Sequence, residues 1–218
     1  MNATAAQRIV VIDDHPLLRK GLQQLADLSP DIEIIGEADS GPEGINMVNE
    51  LKPDLILLDL NMPEMSGLEV LAKLKSSEST ARVVMLTVSN AEEDVVAALR
   101  SGADGYLLKD MKPTQLMQKL NEVAEGRVAL SPNVAECLAR AMQAEGARDA
   151  ALSTLDLTDR EREILSHISE GESNKVIARA LSIAESTVKV HVKHLLKKLG
   201  LKTRVEAAVW AVTHKDQF

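Results

Sequence analysis

Four short apolar runs in the first half of the chain each end in residues that can do chemistry. They are Ile9–Ile12 before Asp13 and Asp14, Leu55–Leu58 before Asp59, Val83–Leu86 before Thr87, and Gly105–Leu108 before Lys109. A short, continuously apolar run is typical of a strand buried on both faces of a parallel sheet. Because open parallel sheets hold ligands at the carboxyl ends of their strands, we expect these polar groups to meet at one edge.

Three carboxylates at one edge repel one another unless a cation lies among them. Oxygen ligands with no predicted His or Cys among them favour Mg²⁺ over zinc or copper, with Asp13 and Asp14 placed to hold it. Asp59 ends the central strand, and a carboxylate can attack a phosphoryl group to form an aspartyl phosphate. The Mg²⁺ and the Lys109 ammonium would neutralise the phosphoryl oxygens, and the Thr87 hydroxyl would donate a hydrogen bond to one of them.

The elements that would position this site alternate between strand and helix over residues 7–126. Strands are predicted near residues 8–12, 32–37, 55–59, 82–87 and 105–108, with helical spacing of apolar residues between them. Five such units predict an α/β fold, a doubly wound five-stranded parallel sheet with helices on both faces.

The strand pattern disappears after residue 126, where Gly126 is a plausible helix stop. Ser131-Pro132 can begin a helix of about three turns, and residues 143–156 have little apolar patterning, so residues 127–154 are predicted to link two domains through a short helix and a mobile tether. Residues 155–216 predict a small all-α domain of four helices with a helix-turn-helix core. Its first helix follows a capping box, Thr158 to Glu161, and Gly171 and Gly200 end two of the helices.

The charge of the chain is distributed unevenly. The net charge is −8, yet residues 175–204 contain eight lysines and arginines against one acid, Glu185, which is a net +7. A basic block in an acidic chain indicates a polyanion-binding surface.

Composition excludes several other classes of protein. No apolar stretch approaches the roughly 18–20 residues that span a bilayer, and no basic region followed by an apolar one marks a secretory signal. The single cysteine, Cys137, allows no internal disulfide, which fits a reducing compartment. We therefore expect a cytoplasmic protein without a membrane partner.

The basic block contains a helix whose lysines lie on one face. Lys189, Lys193 and Lys197 are spaced four apart, and like charges at that spacing repel unless phosphates compensate them. Val190 lies close to this face and could contact a thymine methyl group, while the lysines could reach guanine edges or phosphates. The residues predicted to hold the DNA backbone are Lys175, Arg179, Lys202 and Arg204.

The first domain resembles the receiver domain of bacterial two-component response regulators, which has a flavodoxin-like fold. The matching strings are Val11–Pro16, Leu57–Pro63, Leu86-Thr87 and Gly102–Asp110. The resemblance implies that a sensor histidine kinase phosphorylates Asp59 and that Asp13, Asp14, Asp59 and the Asn61 backbone ligate Mg²⁺. It also implies that Thr87 and Tyr106 form a switch pair and that Lys109 contacts the phosphoryl group.

The second domain resembles the LuxR-type helix-turn-helix. The matching strings are Leu157–Leu165, Gly171–Ala178 and Ser186–Val192. Ala184 departs from the family, which usually has Ser or Thr there to cap the recognition helix, and Ser182 is the candidate to replace that cap. The two domains together resemble the NarL/FixJ family, which implies double-stranded DNA as a partner and a homodimer on DNA when phosphorylated. Several strings are similar to its nitrate/nitrite-responsive members, which implies control of anaerobic respiratory genes.

Two alternatives to a phosphorylation-activated transcription regulator remain. The first is an enzyme, an aspartyl-phosphate hydrolase of the haloacid dehalogenase type, which needs a second catalytic Asp two residues after the nucleophile. Asn61 occupies that position, and no substrate-capping domain is apparent, so we predict that the chain is not an enzyme. The second is a DNA-binding protein whose receiver is purely structural, against which the complete set of acids, Thr87 and Lys109 argues.

Overall fold

The computed structural model describes residues 6–77, 79–124, 127–149 and 157–214. The chain divides into two compact units. Unit 1 comprises Met1–Ala124 with Ala129–Ser131, and unit 2 comprises Glu125–Val128 with Pro132–Phe218. Within the described residues no helix is long and apolar enough to cross a membrane.

Unit 1 is built on a parallel sheet with the strand order β2-β1-β3-β4-β5-β6. The strands are β1 Gln7–Ile12, β2 Ile32–Ala38, β3 Leu55–Leu58, β4 Arg82–Thr87, β5 Gly105–Leu108 and β6 Ala129–Leu130. The predicted α/β fold is confirmed, but the sheet has six strands instead of five. The sixth, β6, pairs with β5 through Gly105 with Ala129 and Tyr106 with Leu130. Two residues are too few to form an apolar run, so the sequence pattern did not reveal this strand.

Five helices accompany the strands in the part of unit 1 that the structure describes. They are α1 Pro16–Ala26, α2 Gly41–Leu51, α3 Gly67–Ser76, α4 Glu92–Arg100 and α5 Pro113–Ala124. Leucines of α1 and α5 pack against the apolar side chains of β1, β3, β4 and β5 to form one core. Gly126, predicted to end α5, lies outside the described residues.

The loop between β3 and α3 brings the start of a helix against Asp59. Ser66 and Glu69 form a capping box at the N-terminus of α3, and the Gly67 N–H donates to the Leu60 carbonyl at 2.8 Å. A Cβ at Gly67 would collide with the Asp59 carbonyl oxygen. Glycine is therefore required there for the loop to return closely to the end of β3.

Unit 2 consists of five helices in the described residues. They are α6 Pro132–Asp149, α7 Asp159–Ser169, α8 Asn174–Ala180, α9 Glu185–Lys198 and α10 Arg204–Thr213. Apolar residues of α7 to α10 form its core. The predicted linker helix begins as expected, but it extends to Asp149, so residues 143–149 of the predicted tether are helical. Ala, Gln, Glu and Arg in this stretch are good helix formers even without an apolar stripe. Residues 150–156 lie outside the described part of the chain.

The ends of the helices in unit 2 follow the sequence signals, with one exception. Gly171 and Gly200 follow α7 and α9 with φ of 78° and 67°, a conformation that suits glycine. Ala184 is the N-cap of α9 and provides no side-chain hydrogen bond. The prediction that Ser182 replaces the cap is wrong, because Ser182 lies two residues before the N-cap and adopts a left-handed φ of 53°.

Glu161 connects the start of α7 to the end of α9. Its carboxylate accepts from the Thr158 N–H at 2.9 Å and from Lys198 Nζ at 2.8 Å. Burial disfavours the charged carboxylate, but the hydrogen bonds from Lys198 and Thr158 outweigh that effect and lower its pKa below 4.5. Ionised Glu161 therefore contributes stability above about pH 4.5, and this contribution is lost as the pH falls through the pKa of the folded state.

Glu161→Gln is expected to lower the free energy of unfolding of unit 2 by about 1–2 kcal/mol at pH 7, because charged hydrogen bonds are lost. The difference from wild type should shrink as the pH falls below 4.5. The fluorescence of Trp210, the only tryptophan of the chain, measures this transition during urea unfolding.

Glu163→Gln is the matched control on the same helix. Glu163 is exposed, and within the described residues it pairs with Arg160 one turn away, so its substitution should cost less than about 0.5 kcal/mol. Equal losses in the two variants would contradict the role assigned to Glu161.

Candidate functional site

Asp13 and Asp59 lie side by side because their strands are neighbours in register. Ile12 of β1 pairs with Leu58 of β3, and the Asp59 N–H donates to the Ile12 carbonyl at 2.9 Å. Each aspartate therefore follows the last residue of its strand at the same edge of the sheet. Both side chains are only 2% exposed, so their negative charges require a compensating cation.

Lys109 supplies positive charge to both aspartates. Its Nζ lies 2.8 Å from Asp13 Oδ2 and 2.8 Å from Asp59 Oδ2. Burial disfavours the charged ammonium, but the hydrogen bonds to the two carboxylates outweigh it and raise the pKa of Lys109 above 10.5. The Lys109 N–H also donates to the Thr87 carbonyl at 2.9 Å, which fixes the start of the side chain at the end of β5. The amine is thus charged and held at the site over the whole physiological pH range.

The Asp59 carboxylate is held at both of its oxygens. Oδ1 accepts from the Leu60 N–H at 2.8 Å, while Oδ2 accepts from Lys109. The carboxylate is consequently oriented before any phosphoryl donor arrives, with Oδ2 directed toward the charged groups of the site.

Thr87 and Tyr106, the expected switch pair, both contact Ser89. The Ser89 N–H donates to Thr87 Oγ1 at 3.3 Å, and the Tyr106 hydroxyl donates to the Ser89 carbonyl at 2.9 Å. Ser89 Oγ in turn donates to Asp94 Oδ2, on α4, at 2.5 Å. Ser89 and Asp94 were not predicted as site residues, because no short-range pattern distinguishes them from ordinary loop and cap residues.

The acidic cluster also contains a histidine. Single ligand atoms of Asp13, Asp14, His15 and Asp59 all lie within 4.8 Å of one another. The expectation of no histidine in the cluster is wrong, because the turn after β1 directs the His15 ring back toward the carboxylates. Asn61, whose backbone was predicted to complete the set, lies two residues beyond Asp59 and is exposed.

The donor set suits a divalent cation. Asp14 Oδ1 is buried and accepts no hydrogen bond of good geometry from the described residues, although His15 Nδ1 lies 2.8 Å away. A divalent cation would give this oxygen a partner. Carboxylate oxygens are the ligands that Mg²⁺ prefers. Arg19, another residue that the sequence analysis missed, donates to the Asp13 carbonyl at 2.5 Å and pairs with Glu37 at 3.3 Å. It thereby fixes the backbone of the acidic turn.

In unit 2 the predicted basic surface is present on α8 and α9. Val188, Val192 and Leu195 are buried in the core, whereas Lys189, Lys193 and Lys197 are exposed. Val190 is 53% exposed, so its side chain is accessible on the surface of α9. The predicted basic contacts to DNA that are exposed are Lys175, Arg179, Lys189, Lys193, Lys197 and Lys202.

Arg204 differs from the other predicted DNA contacts. Its guanidinium donates to Asn174 Oδ1 at 2.8 Å and to the Glu172 carbonyl. These bonds connect the start of α10 to the first residue of α8 and to the loop before it. The sequence pattern could not reveal these bonds, since the partners lie about 30 residues away in the chain. The contact of Arg204 with DNA stays a prediction.

Each of the two units matches the model of a known protein family. Residues 9–121 match the response regulator receiver domain, and residues 155–211 match the bacterial regulatory proteins of the luxR family. The chain is 54% identical over 202 residues to the nitrate/nitrite response regulator protein NarL of Escherichia coli K12, with 93% of each chain covered. It is 44% identical over 202 residues to NarP of the same organism, again with 93% of each covered.

Solved structures give the same result. The response regulator ChrA of a heme-sensing two-component system is 33% identical, with 97% of this chain and 99% of that one covered and a TM-score of 0.53. A LuxR-family two-component response regulator from Aurantimonas sp. SI85-9A1 is 29% identical, with 63% and 98% covered and a TM-score of 0.59. The chain therefore belongs to the two-component response regulators that join a receiver domain to a luxR-family DNA-binding domain, and it is similar to NarL over nearly its whole length.

Proposed function

We propose that this response regulator is activated by transfer of a phosphoryl group from a sensor histidine kinase to Asp59. The observation that carries the proposal is the position of three charged side chains at one edge of the sheet, where β1, β3 and β5 end. There Lys109 Nζ lies 2.8 Å from Asp13 Oδ2 and 2.8 Å from Asp59 Oδ2. The proposed receiver comprises residues 7–126, the linker residues 127–154 and the DNA-binding domain residues 155–216.

The chemistry of the proposed transfer is a nucleophilic substitution at phosphorus. The Asp59 Oδ2 forms a bond to phosphorus while the bond from phosphorus to the kinase histidine nitrogen breaks. Lys109 then exchanges its carboxylate contact for a phosphoryl oxygen, and Thr87 donates its hydroxyl hydrogen to another oxygen. A bound Mg²⁺, held by Asp13, Asp14, Asp59 and the Asn61 backbone, supplies positive charge for the phosphoryl oxygens.

The exposed face of α9 is the proposed surface for recognition of the DNA sequence. Lys189 and Lys193 contact guanine edges or phosphates, Val190 contacts a thymine methyl group, and Lys197 contacts the DNA backbone. Lys175, Arg179 and Lys202 lie exposed on neighbouring elements and add phosphate contacts. A pair of chains on two half-sites is the expected active form, with the half-buried Trp210 and the exposed Val212 of α10 as candidate contacts.

We propose that the protein acts in the cytoplasm and controls nitrate/nitrite-responsive genes of anaerobic respiration. The identity of 54% to NarL over 93% of both chains supports this assignment. The relatives compared above are regulators, which supports a role in gene control and not as an enzyme.

Beryllofluoride, which mimics an aspartyl phosphate, tests the proposal with the full-length protein. It is expected to increase the affinity for a palindromic operator fragment in wild type, measured by fluorescence anisotropy, and to have no effect in Asp59→Asn. An equal increase in the two proteins, or none in either, would contradict activation through Asp59.

A further inference from the structure

We propose that β6 and the residue after it form a clasp that attaches the start of the linker to the receiver and is released on activation. The clasp consists of Ala129, Leu130 and Ser131, which belong to unit 1. Pro132, the next residue, begins α6, so the clasp holds the beginning of the linker helix. The inference rests on the proposed function, because it concerns how phosphorylation of Asp59 affects the rest of the chain.

A glycine of β5 makes room for the clasp. Gly105 pairs with Ala129 in the parallel register, and a Cβ at Gly105 would lie 2.6 Å from the Ala129 carbonyl oxygen. Gly105 does not have a positive φ, so its own backbone conformation does not require glycine. The requirement comes from the close approach of neighbouring groups, among which the backbone of β6 is the nearest.

Ser131 fastens the end of the clasp at two points. Its N–H donates to the Tyr106 carbonyl at 3.3 Å, and its hydroxyl donates to Met111 Sδ at 3.5 Å. Ser131 is 4% exposed and Ala129 is fully buried. Because buried polar groups need partners, the position of Ser131 depends on Tyr106 and Met111 staying where they are.

The two partners of Ser131 lie on either side of the proposed phosphoryl contact, Lys109. Tyr106 precedes Lys109 by three residues, and Met111 follows it by two. The Tyr106 hydroxyl also donates to the Ser89 carbonyl at 2.9 Å, so one residue connects the loop after β4 to the clasp. A movement of Lys109 from a carboxylate to a phosphoryl oxygen therefore displaces the segment that holds Ser131.

The clasp is weak enough to open while the rest of the receiver stays folded. Its strand has two residues, and the 3.3 Å bond of the Ser131 N–H is longer than the usual range of about 2.7–3.2 Å. The second bond of Ser131 ends on a thioether, which is a weak acceptor. Segments held by few hydrogen bonds open locally without global unfolding.

The first test measures hydrogen exchange by mass spectrometry in the wild-type full-length protein. Beryllofluoride is expected to speed exchange in peptides that contain Ala129–Ser131 by about tenfold, because the hydrogen bonds of the clasp are lost. Peptides of the central strand β3 should exchange as they do without beryllofluoride. Unchanged or slower exchange at residues 129–131 would overturn the inference.

The second test opens the clasp by substitution. In Gly105→Ala the new Cβ displaces the Ala129 carbonyl, so residues 129–131 should exchange rapidly without beryllofluoride. Operator affinity of this variant, measured by anisotropy, should lie within about twofold of that of wild type with beryllofluoride, because the active form is already populated. Gly21→Ala is the matched control, since a Cβ at Gly21 has no neighbour within 4 Å. It should respond to beryllofluoride as wild type does.

The outcomes separate this inference from the proposed function. If Gly105→Ala exchanges rapidly at residues 129–131 but still needs beryllofluoride for tight operator binding, the clasp does not carry the signal and the inference is overturned. If Gly105→Ala does not fold, the exchange of the wild-type protein decides alone. If beryllofluoride strengthens operator binding in wild type without releasing the clasp, the inference fails and the proposed function stands. If beryllofluoride leaves operator binding in wild type unchanged, the proposed function itself fails.

Discussion

Replacing Asp59 with asparagine is expected to abolish the uptake of a phosphoryl group from acetyl phosphate in the presence of Mg²⁺. An amide is not a nucleophile toward phosphorus, and the change also removes one carboxylate from the cation site. Phosphoryl incorporation is measured by the mass of the intact protein. Because Asp59 and Asp13 are both buried beside a single ammonium, removal of one charge should not unfold the receiver, and its thermal transition should not fall.

Asp54→Asn provides a matched control at the opposite end of the same strand. Asp54 immediately precedes β3, and its Oδ2 accepts from the Arg8 N–H at 3.0 Å, far from the cluster at the carboxyl end. This variant should take up the phosphoryl group as wild type does. Uptake at the wild-type level in Asp59→Asn would show that another residue is the acceptor.

The site in unit 1 could be predicted because strand periodicity fixes where strands end. Asp13, Asp59, Thr87 and Lys109 each end or follow a buried run, and parallel register then places them at one edge. The prediction therefore needed only the positions of the runs and the general behaviour of parallel sheets. The contacts of Lys109 with both aspartates follow directly from that arrangement.

His15 shows where such reasoning fails. It lies one residue beyond the acidic pair, but whether its ring turns toward or away from the carboxylates depends on the turn geometry before α1. That geometry is set by Pro16 and by the Asp13 carboxylate that accepts the His15 N–H, which strand periodicity does not describe. Ser89 was missed for a related reason, since its contact with Tyr106 spans two strands.

The features missed outside the acidic site have a different origin. The short β6 strand and the length of α6 escaped prediction because apolar periodicity needs several residues, or an apolar stripe, before it becomes visible. The hydrogen bonds from the Arg204 guanidinium to Asn174 and to the Glu172 carbonyl were not predicted either, because these partners lie about 30 residues away in the chain. Charge identifies a basic surface, but burial and long-range hydrogen bonds decide which of its members are free to contact a ligand.

The α9 surface leads to the second large effect, a loss of operator binding in Lys193→Ala. Lys193 is exposed on the middle of α9, beside Val190. If its ammonium contacts a base edge, the loss should be about 1–3 kcal/mol and should be larger for the operator than for unrelated DNA. Lys189 is a less clean test because it also pairs with Glu185 at 3.3 Å, so its removal leaves an acid near the DNA.

Binding is measured by anisotropy at several salt concentrations, which separates the two kinds of contact. A contact to phosphate alone would weaken binding to every sequence similarly and lower the slope of log affinity against log salt by about one unit. Lys20→Ala, which removes an exposed lysine from α1, is the control for the change in net charge. Phosphoryl uptake on Asp59 should be unchanged in both variants, because α9 and the acidic cluster belong to different units. Wild-type operator affinity and salt slope in Lys193→Ala would place the DNA-binding surface elsewhere on unit 2.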